Sequence, residues 1–209
     1  MSTETLRTRL YSESMRLDGK VAIITGSSQG IGAAIALELS SYGASIVLNY
    51  PFHSQKQQAE TILAQLKSPG MAVEADLSTL EGPLKLVSEA VSHFHEIDIL
   101  VNNASVAIFK PLELCTSKDW EDMVNLNGRG YLLTTQAVLP YLRKGHSTRI
   151  INITSSDAQF PTIDHSIYAG TKGMQESLTR SWAKELPPKY GCTVNSVVPG
   201  PTRYLSCGY

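Results

Sequence analysis

The chain has 209 residues, of which 42% are hydrophobic and 18% charged, with a formal net charge of −1. That length holds one sizeable domain with a real core, and the near-neutral charge, with no basic block, argues against a nucleic-acid partner. The longest apolar runs, such as VAII at 21–24, are far too short to cross a bilayer.

The first sixteen residues, MSTETLRTRLYSESMR, lack an apolar stretch and read as a loose tail, not as a secretory signal. Residues 21–25 are apolar without polar alternation, as a parallel strand buried on both faces should be. Glycines follow. Ile31, Ile35 and Leu39 then recur at helical spacing over 31–41, and Gly43 closes that helix. A strand over 45–49 completes one βαβ unit. The alternation continues with a helix over 56–66, a short strand over 72–75, a helix over 84–94 and a strand over 97–101.

A long helix is expected over 118–144, bent by Pro140. A strand over 149–153, a helix over 166–186 and a last strand over 193–198 follow, with Pro187 and Pro188 stopping the helix between them. Such alternation predicts an α/β fold of the Rossmann type, a doubly wound parallel sheet flanked by helices. Residues 1–16 form the expected tail, 17–203 a dinucleotide-binding oxidoreductase domain, and 204–209 an atypical terminal segment.

Cys115, Cys192 and Cys207 are odd in number and widely spaced, and His93 and His95 would point to different sides of a helix. Neither set has disulfide or metal spacing. Reduced cysteines, no metal site and a cytoplasmic location are therefore expected.

TGSSQGIG at 25–32 follows a predicted strand and opens a predicted helix, the context a dinucleotide site requires. Gly26 permits a tight turn, Gly30 lets the backbone approach the phosphates, and Gly32 lets helix and strand pack closely. The helix N-terminus offers unpaired N–H groups to a pyrophosphate. The spacing Gly-x-x-x-Gly-x-Gly resembles that of the short-chain dehydrogenase/reductase family, and the resemblance extends over nearly all of 17–203.

The end of the second strand reads LNYPFHSQK, with Asn49 where an acidic residue would grip the ribose of NAD. A carboxylate would repel a 2′-phosphate, so its absence favours NADPH over NADH. Ser27, Ser28, Asn49 or Ser54 could donate to that phosphate, and His53 or Lys56 could add positive charge. Gln29 stands where many NADPH users of the family carry an arginine. The resemblance further implies that Ile31 belongs to the cofactor loop and that Asp76 and Leu77 contact the adenine. Asp76 also reads as a helix N-cap. NNAS at 102–105 is similar to the family's NNAG: Asn102 would brace the sheet, and Asn103 and Ala104 would line the cofactor cleft. Ser105 replaces a glycine there, which would restrict the backbone if a positive φ were needed.

YAGTK at 168–172 puts Tyr168 and Lys172 on one helix face, where the ammonium lowers the phenol's pKa and makes it a usable proton donor. By resemblance, Ser155 orients the substrate oxygen, with Ser156 as the neighbouring alternative. Asn127, with Asn125 as its alternative, helps hold a water near the lysine. Lys172 and Tyr168 also hold the nicotinamide ribose, and Pro199 and Gly200 line the nicotinamide pocket. The implied reaction is reduction of a ketone, aldehyde or quinone-type carbonyl, or its reverse. Turnover would separate this from a protein that only binds the cofactor.

Beyond PGP the family pattern stops. Thr202 comes too early for the family's carboxamide threonine, Tyr204 stands in its place, and the family's substrate loop and last edge strand do not follow. The 193–198 strand is therefore expected to form an apolar edge, and the pocket to lack a lid. The partners expected are a small carbonyl or alcohol substrate, no nucleic acid and no membrane. A homodimer through the helices near 118–144 and 167–186 is also implied, with Trp120 and Trp182 as either interface or core residues.

Overall fold

The computed structural model describes residues 16–145 and 147–202. Residues 1–15 of the expected 1–16 tail, Cys207, Tyr204 and the 204–209 segment lie outside the described residues. Six strands form one parallel sheet: β1 (Val21–Ile24), β2 (Ser45–Tyr50), β3 (Gly70–Glu74), β4 (Ile99–Asn102), β5 (Thr148–Ile153) and β6 (Cys192–Val197). Their spatial order is β3-β2-β1-β4-β5-β6, the dinucleotide-binding order with its switch point between β1 and β4.

The apolar strand runs are explained by burial on both faces. Ile23, Val47, Leu100 and Ile150 point into one core with Leu86, Tyr131 and Trp182. Their neighbours Ala22, Ile24, Ile46, Leu48 and Val101 point into the other, with Ala36. Successive side chains of a strand face opposite ways, so each strand feeds both layers.

The helices are α1 (Gly30–Ser41), α2 (Lys56–Leu63), α3 (Gly82–Phe94), α4 (Ser117–Val124), α5 (Tyr131–Val138), α6 (Ser166–Glu185) and α7 (Pro187–Tyr190). Among the described residues, no helix is long and apolar enough to cross a membrane. α3 ends where His95 turns to φ 71°.

The long helix expected over 118–144 is not one α-helix. α4 is capped by Thr116, whose side chain accepts from the Asp119 N–H. It passes into a π-helical stretch at Asn125–Gly130, then α5, then a 3₁₀ turn at Leu139–Tyr141 that contains Pro140. Gly130 closes the π-helical stretch against the Leu77 carbonyl, where a Cβ would not fit. Pro187 does stop α6, but it also opens α7, since proline suits a first helical position.

Trp182 is a core residue, stacked on Tyr131 at 5.1 Å between ring centres. Trp120 is exposed. Cys192 is buried and Cys115 half-buried, and both are free thiols. Among the described residues β6 is an edge strand, with Val197 and Val198 exposed.

At the far end of the sheet from the glycine loop, Asp98 is fully buried. It accepts from Lys20 Nζ at 3.0 Å, Arg143 Nε at 2.9 Å and the Val21 N–H at 3.0 Å. This knot joins β1, β4 and the chain entering β5.

Candidate active site

The glycine loop leaves β1 and enters α1 as the spacing requires. Gly26 and Gly30 take φ of 60° and 59°, a region closed to most side chains. At Gly32 the need is closeness: a Cβ there would lie 2.5 Å from both the Gly26 carbonyl and Asn103 Nδ2. No acidic residue stands in the first turn of α1. The loop is pinned from β4, since Asn103 Nδ2 donates to the Thr25 and Gly26 carbonyls at 2.8 and 3.0 Å.

Asn49 differs from its expected use as a phosphate donor. It is buried, its Oδ1 accepts from the Gly26 N–H at 3.1 Å, and its Nδ2 donates to the Ala75 carbonyl at 2.9 Å. It shapes the loop instead. Ser27 is likewise turned inward, donating to the Ile24 carbonyl. Ser28 lines the cleft and bonds Gln55 at 2.7 Å. The candidate cations are paired, His53 with Glu74 and Lys56 with Glu60.

Asp76 accepts from the Ser78 N–H and hydroxyl at 2.9 and 2.8 Å. It thus closes a turn and is not the N-cap of α3, a position held by Glu81. Asn102 braces the sheet through Asn152 and Thr135, both at 3.0 Å. Ser105 does not take a positive φ, so the glycine's replacement carries no backbone strain, and its hydroxyl donates to Asn127 Oδ1.

One open cleft of about 1190 Å³ is lined by Gly26, Ser28, Gly30, Ile31, Asn49, Asp76, Leu77, Asn103, Ala104, Pro199 and Gly200 together with Ser155, Tyr168 and Lys172. That exceeds the usual small-ligand pocket and leaves room for a dinucleotide beside a small substrate. The structure thus brings the proposed cofactor and catalytic residues together, with Gly32 and Asn127 behind the wall.

Tyr168 and Lys172 lie one turn apart on α6, with Lys172 Nζ 5.6 Å from the centre of the tyrosine ring. Lys172 is buried, and burial pushes its pKa down to about 8. Its ammonium donates to the Ile153 carbonyl at 3.0 Å and to Gln175 Oε1 at 3.2 Å. Ser155 Oγ accepts from the Asp157 N–H at 3.2 Å, which leaves its own hydrogen to donate into the cleft.

Asn127 sits in the π-helical stretch and is fully buried. Its side chain accepts from the Val106 N–H at 2.9 Å and donates to the Val106 carbonyl at 2.8 Å and to Thr171 Oγ1 at 3.1 Å. A π-bulge at a functional position is common, because the extra residue re-aims the chain. The Asn127 backbone carbonyl accepts from Gln175 Nε2 at 2.8 Å.

Four residues at this site escaped the sequence reading. Gln175 is one. The others form a wall at the open end: Asp157 accepts from His165 Nδ1 at 2.7 Å, and the imidazole stacks on Phe109 at 3.7 Å between ring centres. Phe109 in turn meets Tyr168 edge-on at 5.7 Å. His165 lies three residues before Tyr168, which was a usable signal; Phe109 gave none.

The sequence from 20 to 204 matches the family model described as short chain dehydrogenase. The chain belongs to the short-chain dehydrogenase family. It is 38% identical over 185 residues to the hydroxynaphthalene reductase arp2 of Aspergillus fumigatus, covering 88% of this chain and 66% of that protein. It is 42% identical over 184 residues to the short-chain dehydrogenase/reductase FrzI of Cladobotryum sp., covering 87% and 70%. The chain therefore spans about two thirds of the length of these relatives.

Among solved structures, a short chain dehydrogenase from Burkholderia cenocepacia J2315 in complex with NADP superposes with a TM-score of 0.85 at 33% identity, covering 90% of this chain and 77% of that one. An NAD+-bound xylitol dehydrogenase superposes at 0.81 with 28% identity, covering 88% and 70%. Family membership makes the chain an oxidoreductase by class, with a Rossmann fold built for a nicotinamide dinucleotide.

Proposed function

We propose that this short-chain dehydrogenase is an NADPH-dependent reductase of a ketone or quinone-type carbonyl. The observation that carries the reading is that Tyr168, Lys172 and Ser155 open into the same cleft as the glycine loop. The cradle suits a dinucleotide: two glycines at positive φ, a third where no Cβ fits, and a helix N-terminus without acidic residues. When bound, the nicotinamide dinucleotide supplies the hydride. Ser155 holds the substrate oxygen by a donated hydrogen bond. Tyr168 gives that oxygen its proton as negative charge develops there. The Lys172 ammonium makes the phenol acidic enough to do so near neutral pH.

The preference for NADPH rests on Asn49 standing where a ribose-binding carboxylate would be, and is supported by the NADP complex of the Burkholderia protein. With Asn49 and Ser27 bonded inward and the Ser28 hydroxyl donating to Gln55 Oε1, the Gln55 amide Nε2 is the donor of this group left for a 2′-phosphate. Calorimetric titration with each cofactor tests this, and tighter binding of NADH overturns it. The stacked wall of Phe109 and His165 beside Tyr168 favours a flat aromatic substrate, which the reductase names of the relatives also support. A homodimer is part of the reading, with exposed Leu112, Leu114 and Trp120 at its interface. Sedimentation of wild type and Trp120→Glu checks it: a wild-type monomer excludes the dimer, and a glutamate variant that stays dimeric excludes this interface.

A further inference from the structure

Gln175 is buried to 1% exposure on α6, three residues after Lys172. Its two amide atoms are both used, and their assignment is unambiguous. Oε1 faces the ammonium of Lys172 at 3.2 Å, a group that can only donate. Nε2 faces the backbone carbonyl of Asn127 at 2.8 Å, a group that can only accept. The amide therefore spans from the lysine to the π-helical stretch Asn125–Gly130.

We propose that Gln175 is a positioning residue for the active-site lysine, fixing its ammonium against β5 and tying it to the backbone at Asn127. This rests on the reading of Lys172 as the group that assists Tyr168.

Lys172 is buried, and burial disfavours its charged form. The Ile153 carbonyl and Gln175 Oε1 both accept from the ammonium. Nearby charges are committed elsewhere. Asp157 is held by His165, Glu176 by Gln159 and Arg180, Lys110 by Asp119, and Arg129 by the Ser78 carbonyl. Tyr168 is the titratable group that faces the lysine. A neutral acceptor at hydrogen-bond distance is thus what holds the proton on Lys172 while adding no charge beside the phenol.

The test is an NMR titration of the lysine side chain in the full chain, with Lys172 assigned by its loss in Lys172→Met. Gln175→Met keeps length and apolar bulk and removes the acceptor. The midpoint of Lys172 should fall by about one pH unit, tenfold in proton affinity. Gln175→Glu keeps an acceptor in place and should hold the midpoint at or above the wild-type value. In the wild type itself, the Gln175 side-chain amide resonances should move with the Lys172 midpoint. An unchanged midpoint in Gln175→Met, even with a lowered Tm, overturns the inference, as do wild-type amide resonances that stay flat. The titration needs no turnover, so a protein that reduces no carbonyl but shows these shifts keeps this inference and loses the proposed reaction.

Discussion

Lys172 Nζ stands 5.6 Å from the centre of the Tyr168 ring. The lysine is buried, anchored on the Ile153 carbonyl, and reaches the tyrosine from one turn further along α6. In the proposed mechanism this geometry couples two protons: the charge on the lysine would set how readily the phenol gives up its own.

Replacing Lys172 with Met should lower turnover by roughly 100-fold or more while the fold persists, since the longest apolar side chain fills the space. The wild-type rate should also depend on pH. The lysine's pKa is pushed down to about 8 by burial, so its ammonium is present below that value and lost as pH rises through it. Reduction should slow above about pH 8 for this reason. Steady-state rates from pH 6 to 10 check it; a rate flat to pH 10 contradicts the assignment.

Gly32→Ala should behave opposite to an ordinary helical glycine. Elsewhere in a helix the change stabilises by up to about 1 kcal/mol. Here the new methyl would meet the Gly26 carbonyl and Asn103 Nδ2 at 2.5 Å. The loop must open, and cofactor affinity should fall about tenfold or more, about 1.4 kcal/mol. Fluorescence titration reads this directly. Unchanged affinity would show that the close approach is not needed for binding.

The knot at Asp98 predicts an acid-sensitive fold. Burial raises the carboxyl's pKa, but bonds from Arg143, Lys20 and the Val21 N–H together outweigh it, and the net shift is downward. A carboxyl depressed in the folded state adds stability that is complete above its unfolded value, about 4, and is lost as pH falls through the folded value. Asp98→Asn should cost about 2 kcal/mol at pH 7 and flatten the acid limb of the stability curve. Denaturant melts of both proteins between pH 3 and 7 decide; equal slopes in the acid range argue against it.

His165→Ala removes the ring stacked on Phe109 while leaving Tyr168, Lys172 and Ser155 in place. The expected effect falls on KM for aromatic carbonyls, with kcat changed little. A KM unchanged for aromatic substrates would remove this wall from the substrate site.

The places of the strands along the chain and the glycine loop were legible because each rests on local chemistry. Strands such as VAII show two-sided burial as unbroken apolar runs, and Gly26 and Gly30 sit where only glycine turns easily. Tyr168 and Lys172 were legible because a four-residue step on a helix is geometry written in sequence.

What failed was tertiary. Asn49 looked like a free donor until its amide was found between the Gly26 N–H and the Ala75 carbonyl, partners far away in the chain. The 118–144 stretch reads as one helix in sequence, and its π-helical interruption at Asn125–Gly130, where Gly130 lies too close to the Leu77 carbonyl for a Cβ, carried no pattern. Gln175 was hidden because a glutamine in a helix is unremarkable until Lys172 and Asn127 are seen on either side of it.

The central claim is that Tyr168 gives the proton in a hydride-transfer reduction. It is tested most directly by following NADPH absorbance with a panel of aromatic ketones and quinones, for wild type and Tyr168→Phe in parallel. The account predicts substrate-dependent NADPH consumption by the wild type, none above background by the Phe variant, and equal NADPH affinity for both. A Phe variant that turns over at the wild-type rate, or a wild type that binds NADPH and reduces none of the panel, would contradict it.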